Sequence, residues 1–223
     1  MHRKLKAAIV AAGLLTGAIV AIQATPALAA TGPSASQLLN KVKNCSVVSH
    51  GKYATDDGES STVNICKQGS AFFWKADMDV DCDGVRTSKC NEDTDPWYQD
   101  QTSFETSKGR PFQADSTHYF VIPLPSSRFN YQSSGIKPGS VAAIIYKSKV
   151  VYAVFADEGP NNIIGEASYA TAKALGIDPD PETGGVDSGV TYIVFPGKVP
   201  SPVESNSAID SKGISAANAF VNS

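Results

Sequence analysis

Through most of the chain, apolar residues come in short runs rather than in long helical stripes. Val141-Ala142-Ala143-Ile144-Ile145-Tyr146 and Val150-Val151-Tyr152-Ala153-Val154-Phe155 flank Lys147-Ser148-Lys149, a pattern that predicts a β-hairpin. Ala71-Phe72-Phe73-Trp74 and Tyr119-Phe120-Val121-Ile122-Pro123 predict further strands, and Val190-Thr191-Tyr192-Ile193-Val194-Phe195 a final one. From Cys45 to about Tyr152 these runs are broken by Gly, Pro, Asp and Asn. Two segments instead carry helical spacing. Leu38, Leu39 and Val42 predict one short helix over Ala35 to Val42, and an Ala-rich stretch from Ser168 to Leu175 ends at Gly176, a natural C-cap. Beyond Pro200 the text is small and polar and predicts a loose tail. There is no internal repeat and no long linker. Many short strands with few helices predict a mainly β fold, a compact six-stranded barrel with a few short helices.

The first residues alter the length that must fold. Met1-His2-Arg3-Lys4-Leu5-Lys6 is basic, Ala7 to Ile22 is apolar, and Ala27-Leu28-Ala29 is a small-x-small site. Together they predict a secretory signal peptide over residues 1–29 and an extracellular protein with no membrane attachment after cleavage. An uncleaved anchor is the alternative, but the run is short and Ala/Gly-rich. Removal of 29 of the 223 residues leaves 194, enough for one domain with a proper core. It also removes three basic residues and no acidic ones, moving the formal charge from −3 to −6. An acidic mature chain argues against nucleic acid and anionic membranes and favours a neutral or cationic partner.

Export makes disulfides the default for Cys45, Cys66, Cys82 and Cys90. Cys45–Cys66 and Cys82–Cys90 are the favoured pairs of three arrangements, because each closes a short local loop. A zinc site has little to stand on: no CxxC pair exists, and His2, His50 and His118 do not cluster with the cysteines.

The candidate chemistry centres on Ala153-Val154-Phe155-Ala156-Asp157-Glu158-Gly159-Pro160, followed by Asn-Asn-Ile-Ile and Gly165-Glu166-Ala167-Ser168. An apolar run ends in a carboxylate, a Gly-Pro turn follows, and a second carboxylate opens the Ala-rich segment. Asp157 thus sits at a strand end and Glu166 at a helix start, either side of one loop. Two fixed carboxylates in a secreted protein are the minimum equipment for cleaving a glycosidic bond. The plainer reading makes Asp157 a turn former and Glu166 an ordinary first-turn helix carboxylate. A second cluster is Asp77, Asp79, Asp81 and Asp83. Asp79-x-Asp81-x-Asp83-Gly84 has the opening of a calcium loop, but Cys90 stands where the bidentate Glu belongs. On an extended strand these acids share one face and repel, so they call for a cation, a protonated sugar amine or solvent. Third, Trp97, Tyr98 and Gln101 offer aromatic faces beside amides, a composition suited to sugars; a core role for Trp97 is the alternative. Serine-hydrolase elbows, phosphate loops and His-rich metal motifs are missing, and neither a cofactor nor a metal is expected.

The strand–Asp–Gly-Pro–loop–helix order resembles the double-psi β-barrel signature of expansins, some endoglucanases and lytic transglycosylases. More specifically, the chain resembles the secreted chitosanases of glycoside hydrolase family 75. Phe73-Trp74-Lys75-Ala76-Asp77-Met78-Asp79-Val80-Asp81-Cys82-Asp83-Gly84 carries the likeness. Thr94 to Gln99, Gln101-Thr102, Val121 to Phe129, Asp157 to Leu175 and Gly184 to Tyr192 extend it in order, covering about Cys45 to Gly197. The resemblance implies endo-hydrolysis of β-1,4-linked glucosamine in chitosan with inversion, with Asp157 and Glu166 as the catalytic pair. Asp77, Asp79, Asp81, Trp97, Tyr98 and Gln101 are the expected substrate contacts, and a monomer is the default state. The expected layout is 1–29 signal, 30–44 lead-in with a short helix, 45–200 catalytic domain and 201–223 tail. Ala156 and Glu158 depart from the small residues usual beside the family's Asp, and Glu158 adds a third carboxylate. A non-catalytic, expansin-like polysaccharide-binding barrel is the main rival; it would need no Glu166.

Overall fold

The computed structural model describes residues 31–223; the expected signal peptide lies outside them. Helix α1 (Ala35–Lys41) opens with a capping box, in which Ser34 and Gln37 satisfy each other's backbone N–H groups. The strands are β1 (Ser46–Val47), β2 (Cys66–Gln68), β3 (Ala71–Asp81), β4 (Tyr119–Pro123), β5 (Val141–Tyr146), β6 (Lys149–Gly159), β7 (Glu166–Ser168) and β8 (Val186–Val194). Helix α2 (Tyr169–Leu175) follows β7, and α3 (Asn206–Val221) ends the chain.

Six strands close on themselves in the order β3-β7-β4-β6-β5-β8, with β8 returning to β3. The β3–β7 and β4–β6 pairs are parallel and the others antiparallel. The expected hairpin is β5–β6, which turns at Lys147-Ser148 with Lys147 in the left-handed region at φ 55°. Alternation divides the walls into two faces. Trp74, Met78, Phe120, Ile144, Phe155 and Tyr192 belong to one apolar cluster. Phe73, Ile145, Val154 and Ile193 belong to a second, which contains Leu38 of α1 and Ile209 and Phe220 of α3. In a closed barrel the face away from α1 and α3 is the interior, so the long strands are covered on both sides. Both expected disulfides, Cys45–Cys66 and Cys82–Cys90, are present.

Two expectations need correcting. The stretch after Pro200 is no loose tail, because Asn206–Val221 is a 16-residue helix. Ile209, Gly213, Ala216, Ala217 and Phe220 form its buried stripe. A Cβ at Gly213 would strike the Tyr152 ring, so small residues are what bring this helix close to the barrel. Their low hydrophobicity concealed the periodicity. Glu166, in turn, does not start a helix. It lies on β7, and α2 begins after Ser168, whose hydroxyl caps Thr171 N–H; Gly176 closes the helix in the left-handed conformation, as expected. Among the described residues, no helix is long and apolar enough to cross a membrane.

Candidate active site

Three strands converge on one acidic face. In the parallel β3–β7 ladder, Asp79 pairs with Glu166, Val80 with Ala167 and Asp81 with Ser168. Val80 and Ala167 enter the interior cluster, leaving the two acids and Glu166 on the opposite side. Asp157 joins them through an irregularity. Phe120 pairs with Phe155 but Val121 pairs with Asp157, so Ala156 is an extra residue in β6. Without this bulge, the inward alternation of Ala153 and Phe155 would carry Asp157 into the apolar interior. Glycine is required at Gly165, where φ is 127° and a Cβ would collide with Asp77 Oδ1. The backbone beside Glu166 therefore packs directly onto the Asp77 carboxyl.

The two candidate catalytic acids live in different surroundings. Asp157 is buried, and three donors converge on its Oδ1: Ser103 N–H at 2.9 Å, Ser103 Oγ–H at 2.6 Å and Glu158 N–H at 2.7 Å. Burial raises its pKa, while these hydrogen bonds favour the charged form and pull it back. Glu166 is half-buried. Burial and the charges of Asp79, Asp157, Asp83 and Asp95 push it up to about 8. Glu158, the extra carboxylate, accepts a 2.6 Å hydrogen bond from Tyr131 OH.

The aspartates of β3 continue the acidic face. Asp81 is buried, and burial together with Glu166, Asp157 and Asp83 holds it well above the ordinary range. Its Oδ1 accepts Asp83 N–H at 2.6 Å, and Asp83 Oδ1 accepts Gln99 N–H at 2.7 Å. Burial pushes Asp83 to about 7. Asp77, only 3% exposed, is raised to about 8 and has an Oδ1 with no hydrogen-bond partner; Asp79 rises to about 6. Asp56, from a loop the sequence reading passed over, completes a group with Asp77 and Asp79 whose oxygens lie within 4.8 Å of one another. Asp81, Asp83 and Asp157 form a second such group. Sets made only of carboxylate oxygen suit hard cations or ammonium groups.

The loop carrying Trp97, Tyr98 and Gln101 borders this face, since Gln99 N–H bonds Asp83 and the Asp95 charge reaches Glu166. Trp97 is not a core residue: it is 85% exposed, with its backbone N–H donating to Asp95 Oδ1. Gln101 is exposed as well. Tyr98 ties its hydroxyl to Gly84 O at 2.8 Å and so fastens this loop to the end of the β3 segment. Ser103 and Asp56 are the members the sequence reading missed. Neither belongs to a chemical motif, and only the fold brings them to the acids.

Comparison with known proteins places the chain in a family. The family described as fungal chitosanase of glycosyl hydrolase group 75 matches residues 78–222, a span that holds Asp157 and Glu166 and runs through α3. Endo-chitosanase B of Aspergillus oryzae is 34% identical over 136 residues, 57% of this chain and 56% of that protein. Endo-chitosanase C of the same organism is 30% identical over 164 residues, 70% of this chain and 40% of the relative. An endo-chitosanase of Aspergillus fumigatus is 27% identical over 163 residues, covering 64% and 68%. The chain thus spans about half the length of the first of these relatives. With a family match that runs from residue 78 in β3 through the loop to Glu166 and the closing helix, this chain belongs to group 75 of the glycosyl hydrolases.

Proposed function

We propose that the protein is a secreted, monomeric endo-chitosanase that hydrolyses β-1,4 glucosaminidic bonds with inversion. Glu166 acts as general acid on the leaving oxygen, and Asp157 acts as general base on the attacking water. One observation carries the role assignment: three donors meet Asp157 Oδ1, whereas burial and neighbouring negative charge raise Glu166 to about 8. A carboxyl held neutral at working pH can deliver a proton, and a donor-stabilised carboxylate can accept one. The separation of environments is what two-acid glycoside hydrolysis requires.

The substrate class follows from charge and from the relatives. The named relatives are endo-chitosanases. A face built from Asp77, Asp79, Asp81 and Asp83 suits a polymer whose amines are protonated, and opposite charge speeds encounter. Trp97 provides an exposed ring for a sugar face, with Gln101 nearby in sequence for its hydroxyls. The test compares product release from highly deacetylated chitosan, chitin and carboxymethyl-cellulose, with Glu166→Gln as control. Oligomers from chitosan alone, lost in the variant, are expected. Binding to chitosan without release of any product would make the barrel an expansin-like binding module instead.

A further inference from the structure

We propose that Ser103 is a positioning residue for catalysis, fixing Asp157 in the orientation and charge state of a base. The inference rests on the assignment of Asp157 as the group that activates water. Ser103 holds Asp157 twice, through its backbone N–H at 2.9 Å and its hydroxyl at 2.6 Å, both on Oδ1. The same hydroxyl accepts Glu158 N–H at 3.1 Å, and Glu158 N–H also reaches Asp157 Oδ1 at 2.7 Å. Ser103 therefore closes a small network in which one carboxylate oxygen is saturated with donors. The second oxygen, Oδ2, is left as the acceptor for a water proton.

The position of Ser103 argues against a merely structural hydroxyl. Its side chain is exposed, so folding gains little from burying it. Its neighbours, by contrast, are anchored. Thr102 Oγ1 donates to Phe104 O at 2.7 Å and accepts Phe112 N–H at 3.0 Å. Phe104 N–H bonds the bulge residue Ala156 at 3.2 Å, and the Phe104 ring packs edge-on to Phe155 at 5.0 Å. An exposed serine is thus held between two pinned residues, and its shortest hydrogen bond, at 2.6 Å, is made to the candidate base. The local chain is fixed without Ser103 Oγ, and the hydroxyl is free to serve the carboxylate.

Its electrostatic task is set by what surrounds Asp157. Asp81 of β3, Asp83 beyond it and Glu158 on β6 face it as acids, Glu166 faces it from β7, and Tyr119 faces it from β4. Burial disfavours a negative charge on Asp157, and the Glu158 charge adds to that. The donors on Oδ1 oppose both effects. Removing the hydroxyl donor should raise the pKa of the base and loosen its aim together.

The experiment is a pH–rate profile with kcat and KM for wild type, Ser103→Ala, Ser103→Thr and Asp157→Asn on deacetylated chitosan oligomers. Losing one hydrogen bond to a charged group should lower kcat about tenfold and move the acidic limb up by roughly one pH unit. KM and the unfolding midpoint should change little, and Ser103→Thr should restore both limb and rate. An unmoved acidic limb in Ser103→Ala, with Asp157→Asn inactive, would overturn the role of Ser103 while leaving the catalytic pair intact. So would a loss of rate that Ser103→Thr does not restore. Full activity in Asp157→Asn would instead remove the base assignment, and the Ser103 proposal with it.

Discussion

Asp157 at the end of β6 and Glu166 on β7 are both carboxyls on barrel strands, both facing the same acidic surface. They differ in what the backbone offers them. The bulge at Ala156 turns Asp157 toward the 102–104 loop, where N–H and O–H donors converge on one oxygen. Glu166 lies beside Asp79 in the ladder, where burial first and neighbouring charge second raise its pKa. Burial raises both carboxyls, but strand register and loop placement give Asp157 donors that counter the rise and give Glu166 neighbouring negative charge that adds to it. The lesson is that backbone surroundings can set two like carboxyls apart, the difference that the proposed acid and base need.

The harshest way to break this comparison is to remove either carboxyl. Asp157→Asn and Glu166→Gln should each lower kcat on chitosan by about 10²- to 10⁴-fold, while circular dichroism stays unchanged. A variant keeping more than a few per cent of wild-type activity has lost its claim to a catalytic role. The wild-type profile should be bell-shaped. Activity falls at low pH as Asp157 is protonated, and falls again as pH rises through about 8, where Glu166 gives up its proton.

Stability should sharpen the same contrast. A carboxyl whose folded pKa lies above its ordinary value destabilises the fold once it is charged. Glu166 therefore leaves stability intact below about 4.5 and erodes it as pH climbs toward about 8. Glu166→Gln should raise the unfolding midpoint by several degrees at pH 8 and by almost nothing at pH 4. Equal midpoints at both pH values would mean the acid is not strained in the folded protein. Smaller effects are expected at the substrate face. Asp79→Asn should raise KM for chitosan a few-fold, more strongly at low salt, because an exposed charge is screened over about 10 Å at 0.1 M. A salt-independent change would point to a structural role for Asp79. Trp97→Ala should raise KM only a few-fold, roughly the 1 kcal/mol order of an aromatic contact, with kcat unchanged; a KM equal to wild type would place the ring outside the sugar path.

Much of this fold was legible because its signals are local. The β5–β6 hairpin, the strand carrying Asp157, the Gly176 cap and both disulfides each follow from residues near one another in sequence. Barrel closure was legible only as a fold class, since the β3–β8 pairing joins residues more than a hundred positions apart. Helix α3 was missed because Gly213, Ala216 and Ala217 bury a stripe by being small, not by being strongly apolar. Glu166 was placed in a helix because Gly-Glu-Ala-Ser precedes an Ala-rich run; three residues of ladder with β3 outweigh that propensity. The candidate acids themselves stood out by motif. Ser103 and Asp56 did not, since a lone serine and a loop aspartate carry no pattern until folding sets them against Asp157 and Asp77. The different surroundings of the two carboxyls were likewise invisible, because the Ser103 donors on Asp157 come from 54 residues away.

The most direct test of the two-acid account is the configuration of the first reducing ends released from deacetylated chitosan, followed by proton NMR before mutarotation. An acid at Glu166 and a water-activating base at Asp157 predict the α-anomer from the β-linked polymer. Initial release of the β-anomer would mean that a carboxylate attacks the sugar itself, and would contradict the assignment of Asp157 as a base.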